Sequence, residues 1–182
     1  MEIEKLIKKC LAGNKRAQKE LYDLYATKVF GICRRYAYTD YEATDSFQEA
    51  FIKIFDNLEK FDPTKGSFDA WIARITINES LLFIRKNKRF EADDIDDQGG
   101  IQSTLEHVDE SISFDDLLVY IDELPPKQRI IFNMYVIEGY NHQEIADQLM
   151  ISEGTSKSQL ARARAKLMQQ ITMENERINN NN

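Results

Sequence analysis

An acidic segment that separates two basic blocks is the feature that most constrains this chain. Residues 91–126 contain twelve Asp and Glu residues and no Lys or Arg, whereas residues 1–90 and 127–182 both carry a net positive charge. Residues 91–112 also have few large apolar side chains and include a Gly-Gly pair. Such a stretch buries too little surface to offset the entropy lost on ordering. We therefore predict two domains joined by a flexible acidic linker.

The two flanking blocks predict an all-α fold. The 182 residues are 42% hydrophobic, and seven glycines and three prolines are few for a β-rich protein. Apolar residues recur at helical spacing in four patterns before the linker and four after it, and no strand pattern occurs. We predict a helical N-terminal domain over residues 1–90, the linker over 91–112, a C-terminal helix-turn-helix domain over 113–175 and a disordered tail over 176–182.

The sequence lacks the motifs of the common enzyme and metal-binding classes. His107 and His142 have no partner at metal-ligand spacing, and FDPTKGSF lacks the residue order of a P-loop. Cys10 and Cys33 lie far apart and form no CxxC pair. No apolar stretch approaches the roughly 18 residues of a membrane-spanning helix. We expect a cytoplasmic protein that has no cofactor, no small-molecule substrate and no membrane insertion.

The C-terminal block has the pattern of a helix-turn-helix. Asn141 and Glu144 form a capping-box-like start to a short helix, and Ser152 caps a longer helix after a tight turn. The second helix of such a motif enters the major groove of DNA. Its outer side carries Lys157, Ser158, Ala161 and Arg162. The alternative is an ordinary amphipathic helix with a solvated face.

The motif DSFQEAFIKIF predicts a helix with an unusual polar face. An inward apolar stripe is formed by Phe47, Phe51, Ile54, Phe55 and Leu58. The other side carries the acidic and amide residues Asp45, Gln48 and Glu49 together with the apolar Ile52. This combination suits a surface that docks on a basic protein partner. On spacing alone, an ordinary solvated face explains the pattern equally well.

The helix after the FDPTKGSF loop predicts a track for single-stranded DNA. At about 100° per residue, one side is lined by Arg74, Asn78, Leu81, Arg85 and Lys88, with Arg89 at its edge. Phe61, Phe68 and Trp71 flank the loop. Single-stranded DNA binds to aromatic faces for stacking and to cations for its phosphates. The alternative is that these aromatic side chains belong to the core.

Together, these motifs resemble those of bacterial RNA polymerase sigma factors of the extracytoplasmic-function (ECF) type, over nearly the whole chain. DSFQEAFIKIF resembles the family's D-x-x-Q-E-x-F helix, which docks on the clamp coiled coil of the largest polymerase subunit. FDPTKGSFDAWIARITINESLLFIRKNKR resembles the element that melts and reads −10 DNA, and GYNHQEIADQLMISEGTSKSQLARARAKL resembles the −35 reader. The resemblance implies a sigma factor that is not an enzyme, with core RNA polymerase, promoter DNA and a cognate anti-sigma factor as partners.

The resemblance also implies roles for individual residues. Polymerase docking falls on Asp45, Gln48 and Glu49, beside Ile52. Asn57, Phe61 and the loop through Lys65 and Ser67 surround a flipped −10 base, Arg74 and Asn78 contact the −10 strand, and Arg85, Lys88 and Arg89 extend the basic stripe. The −35 set is Thr155, Lys157, Ser158, Ala161 and Arg162.

Three positions depart from the family pattern. Leu82 stands where members often carry Asp, Met150 stands where many have Gly in the helix-turn-helix turn, and Ser156 replaces a frequent valine. If Met150 adopts the left-handed conformation, that conformation costs roughly 1–2 kcal/mol. The departures affect base preferences and not the class.

The resemblance implies that the acidic linker passes through the positive channels of polymerase. In the free protein, the same charge favours an arrangement in which the linker screens the basic faces of either domain. Two other functions remain open at this point. One is a stand-alone helix-turn-helix transcription regulator, and the other is an all-helical scaffold that binds no DNA. Both leave at least one of the three motifs without a purpose.

Overall fold

The computed structural model describes residues 2–87 and 114–180. The chain divides between Asn87 and Lys88 into two compact units. The described residues of both units form helices, turns and loops and contain no strand, which confirms the predicted all-α class. The predicted acidic linker, residues 91–112, lies outside the described residues, as do Lys88 and Arg89.

The N-terminal unit consists of four α-helices and one short turn. They are α1 (Glu2–Leu11), α2 (Lys15–Tyr36), α3 (Asp40–Asp56), a 3-10 turn (Leu58–Lys60) and α4 (Phe68–Lys86). Side-chain oxygens cap three of the helix starts, which satisfies backbone N–H groups that have no partner within the helix. Asn14 caps α2, Thr39 caps α3 and Ser67 caps α4.

The core of this unit lies where α2, α3 and α4 pack against one another, with α1 packed on α2. Its buried members are Leu6, Ile7, Cys10, Ala17, Leu21, Tyr25, Val29, Cys33, Ala50, Phe51, Ile54, Leu58, Phe68 and Ile72. Both cysteines are buried free thiols. Burial raises the pKa of each thiol, so that neither is a reactive thiolate at neutral pH.

Two apolar residues do not lie where their spacing predicts. The helical spacing of Leu24 with Leu21 and Val29 predicts an inward position, yet Leu24 is 62% exposed, because it lies about 100° from the buried Tyr25. Leu81, counted with the basic stripe of α4, is fully buried. Since α4 packs on both α2 and α3, its buried face is wider than a single stripe. The basic track therefore does not run unbroken along α4.

The C-terminal unit contains α5 (Phe114–Asp122), α6 (Pro126–Phe132), a π-helical turn (Asn133–Ile137), α7 (His142–Leu149) and α8 (Glu153–Asn180). Pro126 occupies the start of α6, where its missing N–H costs no hydrogen bond. The Asn141–Glu144 capping box at the start of α7 is present. The buried apolar side chains are Ile121, Leu124, Ile130, Ile131, Phe132, Met134, Ile145, Ala146, Leu149, Leu160, Ala163, Leu167 and Ile171.

The prediction of a disordered tail from residue 176 is wrong for residues 176–180, because α8 continues to Asn180. After Gly154, the sequence of α8 contains no Gly or Pro that would end it. Ile171 is still buried, and Gln170 donates a hydrogen bond of 2.7 Å to the Glu123 carboxylate just after α5. These contacts stabilise the second half of the helix. Residues 181 and 182 lie outside the described residues.

The turn between α7 and α8 places Met150 in the left-handed conformation. Its φ and ψ are 57° and 43°, and it is the one non-glycine residue of the described chain with a positive φ. The side chain is 72% exposed and therefore gains little from packing. A residue with a Cβ atom is strained in this conformation. The turn thus has a geometry that glycine adopts without strain, and methionine holds it at a cost in stability.

We expect Met150→Gly to raise the free energy of unfolding of the C-terminal unit by about 1 kcal/mol, because glycine removes the strain and loses part of the gain through backbone entropy. Urea unfolding followed by far-UV circular dichroism measures the change, while the fluorescence of Trp71, the single tryptophan, reports the N-terminal unit. Met173→Gly, an exposed position within α8, is the control and should destabilise by about 1 kcal/mol. Destabilisation by Met150→Gly would contradict the account.

Candidate nucleic-acid and polymerase interfaces

A set of aromatic rings supports the loop before α4. Phe68 is buried in the core, stacks on Trp71 with ring centroids 5.4 Å apart, and meets Tyr25 edge to face at 5.3 Å. Phe61 lies against both Phe68 and Trp71, at 4.9 and 5.8 Å. Phe61 and Trp71 are half-buried, so each keeps an accessible part of its ring. The core interpretation is correct for Phe68, whereas Phe61 and Trp71 line a surface.

Hydrogen bonds fix the course of the same loop. Asp62 Oδ1 accepts from the backbone N and the hydroxyl of Thr64, at 3.0 and 2.7 Å. These bonds, with Lys65 3.6 Å away, lower the pKa of the Asp62 carboxyl. At the start of α4, Ala70 N donates to Ser67 Oγ at 3.2 Å. The loop is therefore held in one shape from Asp62 to the first turn of α4.

An ion pair joins the start of α4 to α2. Lys28 Nζ lies 2.6 Å from Asp69 Oδ1, and the Tyr25 hydroxyl is 3.4 Å from Asp69 Oδ2. The Lys28 ammonium, by hydrogen bond and charge, lowers the pKa of the Asp69 carboxyl against the effect of its partial burial. The pair is largely exposed and adds little to stability. Its role is to orient the first turn of α4 beside the loop.

Two surface pockets lie beside these rings. The first, here called the loop pocket, has a volume of about 280 Å³. It is lined by Lys60, Phe61, Asp62, Lys65, Gly66, Ser67, Ala70, Trp71 and Arg74. The second, here called the helix pocket, has a volume of about 240 Å³ and lies between the end of α3 and the middle of α4. It is lined by Lys53, Asn57, Lys60, Trp71, Ile75, Asn78 and Glu79.

The residues predicted to bind −10 DNA divide between these pockets. Phe61, Lys65, Ser67 and Arg74 line the loop pocket. Asn57 and Asn78 line the helix pocket instead. Arg85 is half-buried in the last turn of α4 and lines neither pocket. Six of the predicted residues therefore line one of two separate pockets, and their contact with −10 DNA stays a prediction.

The Asn57 side chain, which the sequence predicts as a DNA contact, makes hydrogen bonds within the chain. Its side-chain Nδ2 donates to the Lys53 carbonyl at 2.7 Å, and its Oδ1 accepts from Lys60 Nζ at 2.8 Å. Both ends of the amide are thus engaged where α3 ends. Lys60 and Trp71 line both pockets. Trp71 is one of the aromatic residues that the sequence places beside the predicted track, whereas Lys60 is not among the predicted DNA contacts. Lys53 and Glu79 are also absent from that set, because only the packing of α3 on α4 brings them together.

The predicted docking face of α3 is accessible. Gln48 and Glu49 are exposed, Asp45 is half-buried, and Ile52 is 52% exposed. Tyr41 lies one turn before Asp45 on the same face and is 75% exposed. The sequence set omits it, although its spacing of four from Asp45 and eleven from Ile52 was a usable signal. Two accessible apolar side chains therefore flank the polar residues of this face.

The helix-turn-helix is held together by a polar contact. Ser156 is fully buried, and its hydroxyl lies 2.9 Å from Nδ1 of His142 at the start of α7. The His142 ring stacks on Tyr135, with centroids 4.5 Å apart, and the Arg164 guanidinium lies 5.7 Å from the Tyr135 centroid. The buried Ser156 hydroxyl thus has a hydrogen-bond partner. This contact fixes α8 relative to α7.

The predicted −35 residues lie on the first turns of α8. Lys157 and Ser158 are exposed, and Thr155, Ala161 and Arg162 are half-buried. Thr155 and Lys157 are among those that have contacts within the chain. Ser152 Oγ accepts from Thr155 N and lies 2.9 Å from the Thr155 hydroxyl, and Lys157 Nζ pairs with Glu153 at 2.6 Å. Both contacts are exposed and can be exchanged for contacts with DNA.

Comparison of the sequence with known proteins shows which family has these elements in this order. Residues 21–90 match the family model described as Sigma-70 region 2, and residues 114–167 match Sigma-70, region 4. The chain is 30% identical to the ECF RNA polymerase sigma factor SigW of Bacillus subtilis, over 94% of this chain and 97% of that protein. This chain belongs to the ECF RNA polymerase sigma factors. It is also 29% identical to SigE of Mycolicibacterium smegmatis, over 81% of this chain and 59% of that protein.

Among solved structures, the sigma factor RpoE in complex with the anti-sigma factor NepR from Bartonella quintana is similar, with a TM-score of 0.45 and 24% identity over 85% of this chain and 96% of that one. The region 2 match of this sigma factor contains α3 and both pockets, and the region 4 match contains the helix-turn-helix. Within the described residues, no group of His, Cys, Asp and Glu could hold a metal ion, and no helix is long and apolar enough to cross a membrane.

We expect the stability of the C-terminal unit to fall as the pH drops below about 6.5. Burial, followed by the charge of Lys157, lowers the pKa of His142 below its usual value. The folded unit therefore binds a proton less readily than the unfolded chain, and stability is lost as the pH falls through the folded pKa.

Thermal unfolding at pH 7.5 and 5.5 measures this loss. His142→Gln, which can still bond to Ser156, should make the pH dependence smaller, whereas His107→Gln, at the other histidine of the sequence, should leave it unchanged. An equal pH dependence in wild type and His142→Gln would show that another group is responsible.

Proposed function

We propose that this sigma factor acts through three separate surfaces: the α3 face for core RNA polymerase, the two pockets for −10 DNA and the first turns of α8 for −35 DNA. Sigma factors direct promoter-specific initiation by RNA polymerase, and they are not an enzyme family. The observation that carries the assignment of surfaces is the loop pocket. It combines an aromatic wall with three cationic side chains, those of Lys60, Lys65 and Arg74.

This composition suits a base that has left the double helix. Extrusion of a base costs a few kcal/mol, which stacking on an aromatic ring and contacts to its edge can repay. Phe61 and Trp71 offer ring faces, and the cations are placed for the flanking phosphates. The loop is already held in shape by Asp62 and Ser67. A preformed pocket loses less entropy when the strand binds.

The α3 face suits a basic surface of core polymerase. Glu49 and Asp45 supply negative charge, Gln48 supplies an amide, and Tyr41 and Ile52 supply apolar area that water would otherwise cover. Opposite charges steer association, while a buried aromatic or aliphatic side chain provides most of the affinity. The residues of the α3 face are not among those that line the two pockets of the same unit.

We expect Gln48→Ala combined with Glu49→Lys to weaken binding to core polymerase at least tenfold, because the pair loses an amide contact and reverses a charge. The melting temperature should stay near that of wild type, since exposed substitutions usually change stability by less than about 0.5 kcal/mol. A titration of labelled protein with core polymerase measures the affinity. Glu20→Lys, an exposed charge reversal on α2, is the control. An unchanged affinity would remove the α3 face from the interface.

The first turns of α8 suit the major groove. Ser158 and Ala161 are small, so the helix can approach the bases closely, while Lys157 and Arg162 can contact phosphate or guanine. The contact between His142 and Ser156 holds α8 at a fixed angle to α7. A fixed angle is required if base contacts are to be specific.

We expect Arg162→Ala to weaken promoter binding by the holoenzyme by roughly 1–3 kcal/mol if Arg162 contacts a base. Binding to promoters with each −35 position varied distinguishes the type of contact. Base contact relaxes the preference at one position, whereas phosphate contact weakens all sequences equally and reduces the salt dependence. Arg177→Ala, far along the same helix, is the control. No change in affinity or preference would exclude Arg162 from the site.

We further propose that an anti-sigma factor regulates this protein. We also propose that this protein acts in the cytoplasm, where RNA polymerase and the chromosome are. Several large apolar side chains of the C-terminal unit are exposed, namely Leu118, Val119, Val136 and Ile137. Exposed apolar groups suit surfaces that a protein partner covers. A stand-alone regulator would leave the α3 face without a purpose. A band shift by the chain without core polymerase would support that alternative.

A further inference from the structure

The helix pocket differs in composition from the loop pocket. Its floor and walls include the aliphatic Ile75 and the Trp71 indole, and its polar residues include Asn78 and Glu79. The loop pocket contains one carboxylate, Asp62, which is engaged with Thr64 and Lys65. The helix pocket instead contains a carboxylate that is not engaged in this way. Two adjacent pockets with Trp71 in common have the arrangement needed for two neighbouring nucleotides.

Glu79 and Asn78 are free to bind a ligand. Neither side chain makes a hydrogen bond or ion pair with any other residue of the described chain, although Glu79 is half-buried. Lys53 is nearby in the same pocket and also has no ion-pair partner among the described residues. In contrast, the Asn57 amide is engaged at both ends. The pocket thus presents one uncommitted carboxylate, one uncommitted amide and a cation.

A carboxylate is an unusual group in a surface that binds DNA, because phosphates repel it. An ionised carboxylate can only accept hydrogen bonds. On a base, the groups that donate two hydrogens are the exocyclic amines of adenine, cytosine and guanine. Thymine has no amine, and its one Watson–Crick donor, N3–H, lies between two carbonyl oxygens that Glu79 would repel. A carboxylate in this position therefore favours bases with an amine and disfavours thymine.

We propose that the helix pocket is a second base-recognition site, which takes an unpaired base with an exocyclic amine next to the base in the loop pocket. Glu79 accepts the hydrogen bond from the amine, and Asn78 contacts the remaining polar atoms of the base. The Trp71 indole lines both sites and provides a surface for stacking. This proposal rests on the proposed function of the region 2 unit in binding the separated −10 strand. It makes Glu79 a determinant of promoter specificity.

The test uses holoenzyme reconstituted with wild type, Glu79→Ala or Glu59→Ala. Glu59 lies on the 3-10 turn, is exposed and lines neither pocket, so it is the matched control. Single-stranded −10 oligonucleotides from a promoter that the wild-type holoenzyme opens are varied one position at a time. At the position of the helix pocket, the preferred base is also replaced by its analogue without the amine: purine, 2-pyrimidinone or hypoxanthine.

Wild type and Glu59→Ala should prefer a base with an amine over thymine by about tenfold at one position, and loss of the amine alone should weaken binding by a similar factor. Glu79→Ala should reduce both effects to less than about twofold at that position. Its discrimination at the neighbouring position should stay intact. A coupling between the amine and Glu79 is a readout that a merely structural role would not produce.

Equal sensitivity of wild type and Glu79→Ala to loss of the amine would overturn the second site. Discrimination at one position only, abolished by Lys65→Ala and not by Glu79→Ala, would also overturn it, while it would leave the role of the loop pocket in −10 binding in place. Failure of the wild-type holoenzyme to bind any −10 oligonucleotide would overturn the proposed function of the region 2 unit together with the second site.

Discussion

The burial of Phe68 is the interaction on which the surface proposed to bind DNA depends. Phe68 begins α4 and lies in the core against Tyr25 of α2, while Phe61 and Trp71 pack on its outer side. The same ring therefore belongs to the core and supports the walls of both pockets. The Lys28–Asp69 pair next to it sets the orientation of the first turn of α4. Because the loop depends on core packing, its shape exists before DNA binds.

The helix-turn-helix has two different features: its turn is strained, and a buried polar contact joins its two helices. Met150 holds the left-handed turn that glycine would form without strain. The buried Ser156 bonds to His142, which is held in turn by stacking on Tyr135. Such a bond has a defined direction, which apolar packing lacks. This bond therefore orients the first turns of α8 against α7.

The sequence predicts the helices well because their caps and apolar spacing are local. The Asn141–Glu144 box and the cap at Ser152 lie where the pattern places them. It fails where burial depends on how many neighbours a helix has, and this explains the errors at Leu24 and Leu81. Local sequence patterns could not predict the helix pocket, because the packing of α3 on α4 is what brings Asn57 and Asn78 to the same pocket. The charge of the acidic segment, which falls largely outside the described residues, indicated two domains but not their internal geometry.

Permanganate footprinting of a promoter tests the central claim most directly, because it detects unpaired thymines only where the −10 strands have separated. Core polymerase and this chain together should make the −10 thymines reactive, and neither component alone should do so. Asn78→Ala and Phe61→Ala should reduce the reactivity more than they reduce initial promoter binding, with a melting curve as control for Phe61. Normal reactivity in both variants, or reactivity without the chain, would contradict the account.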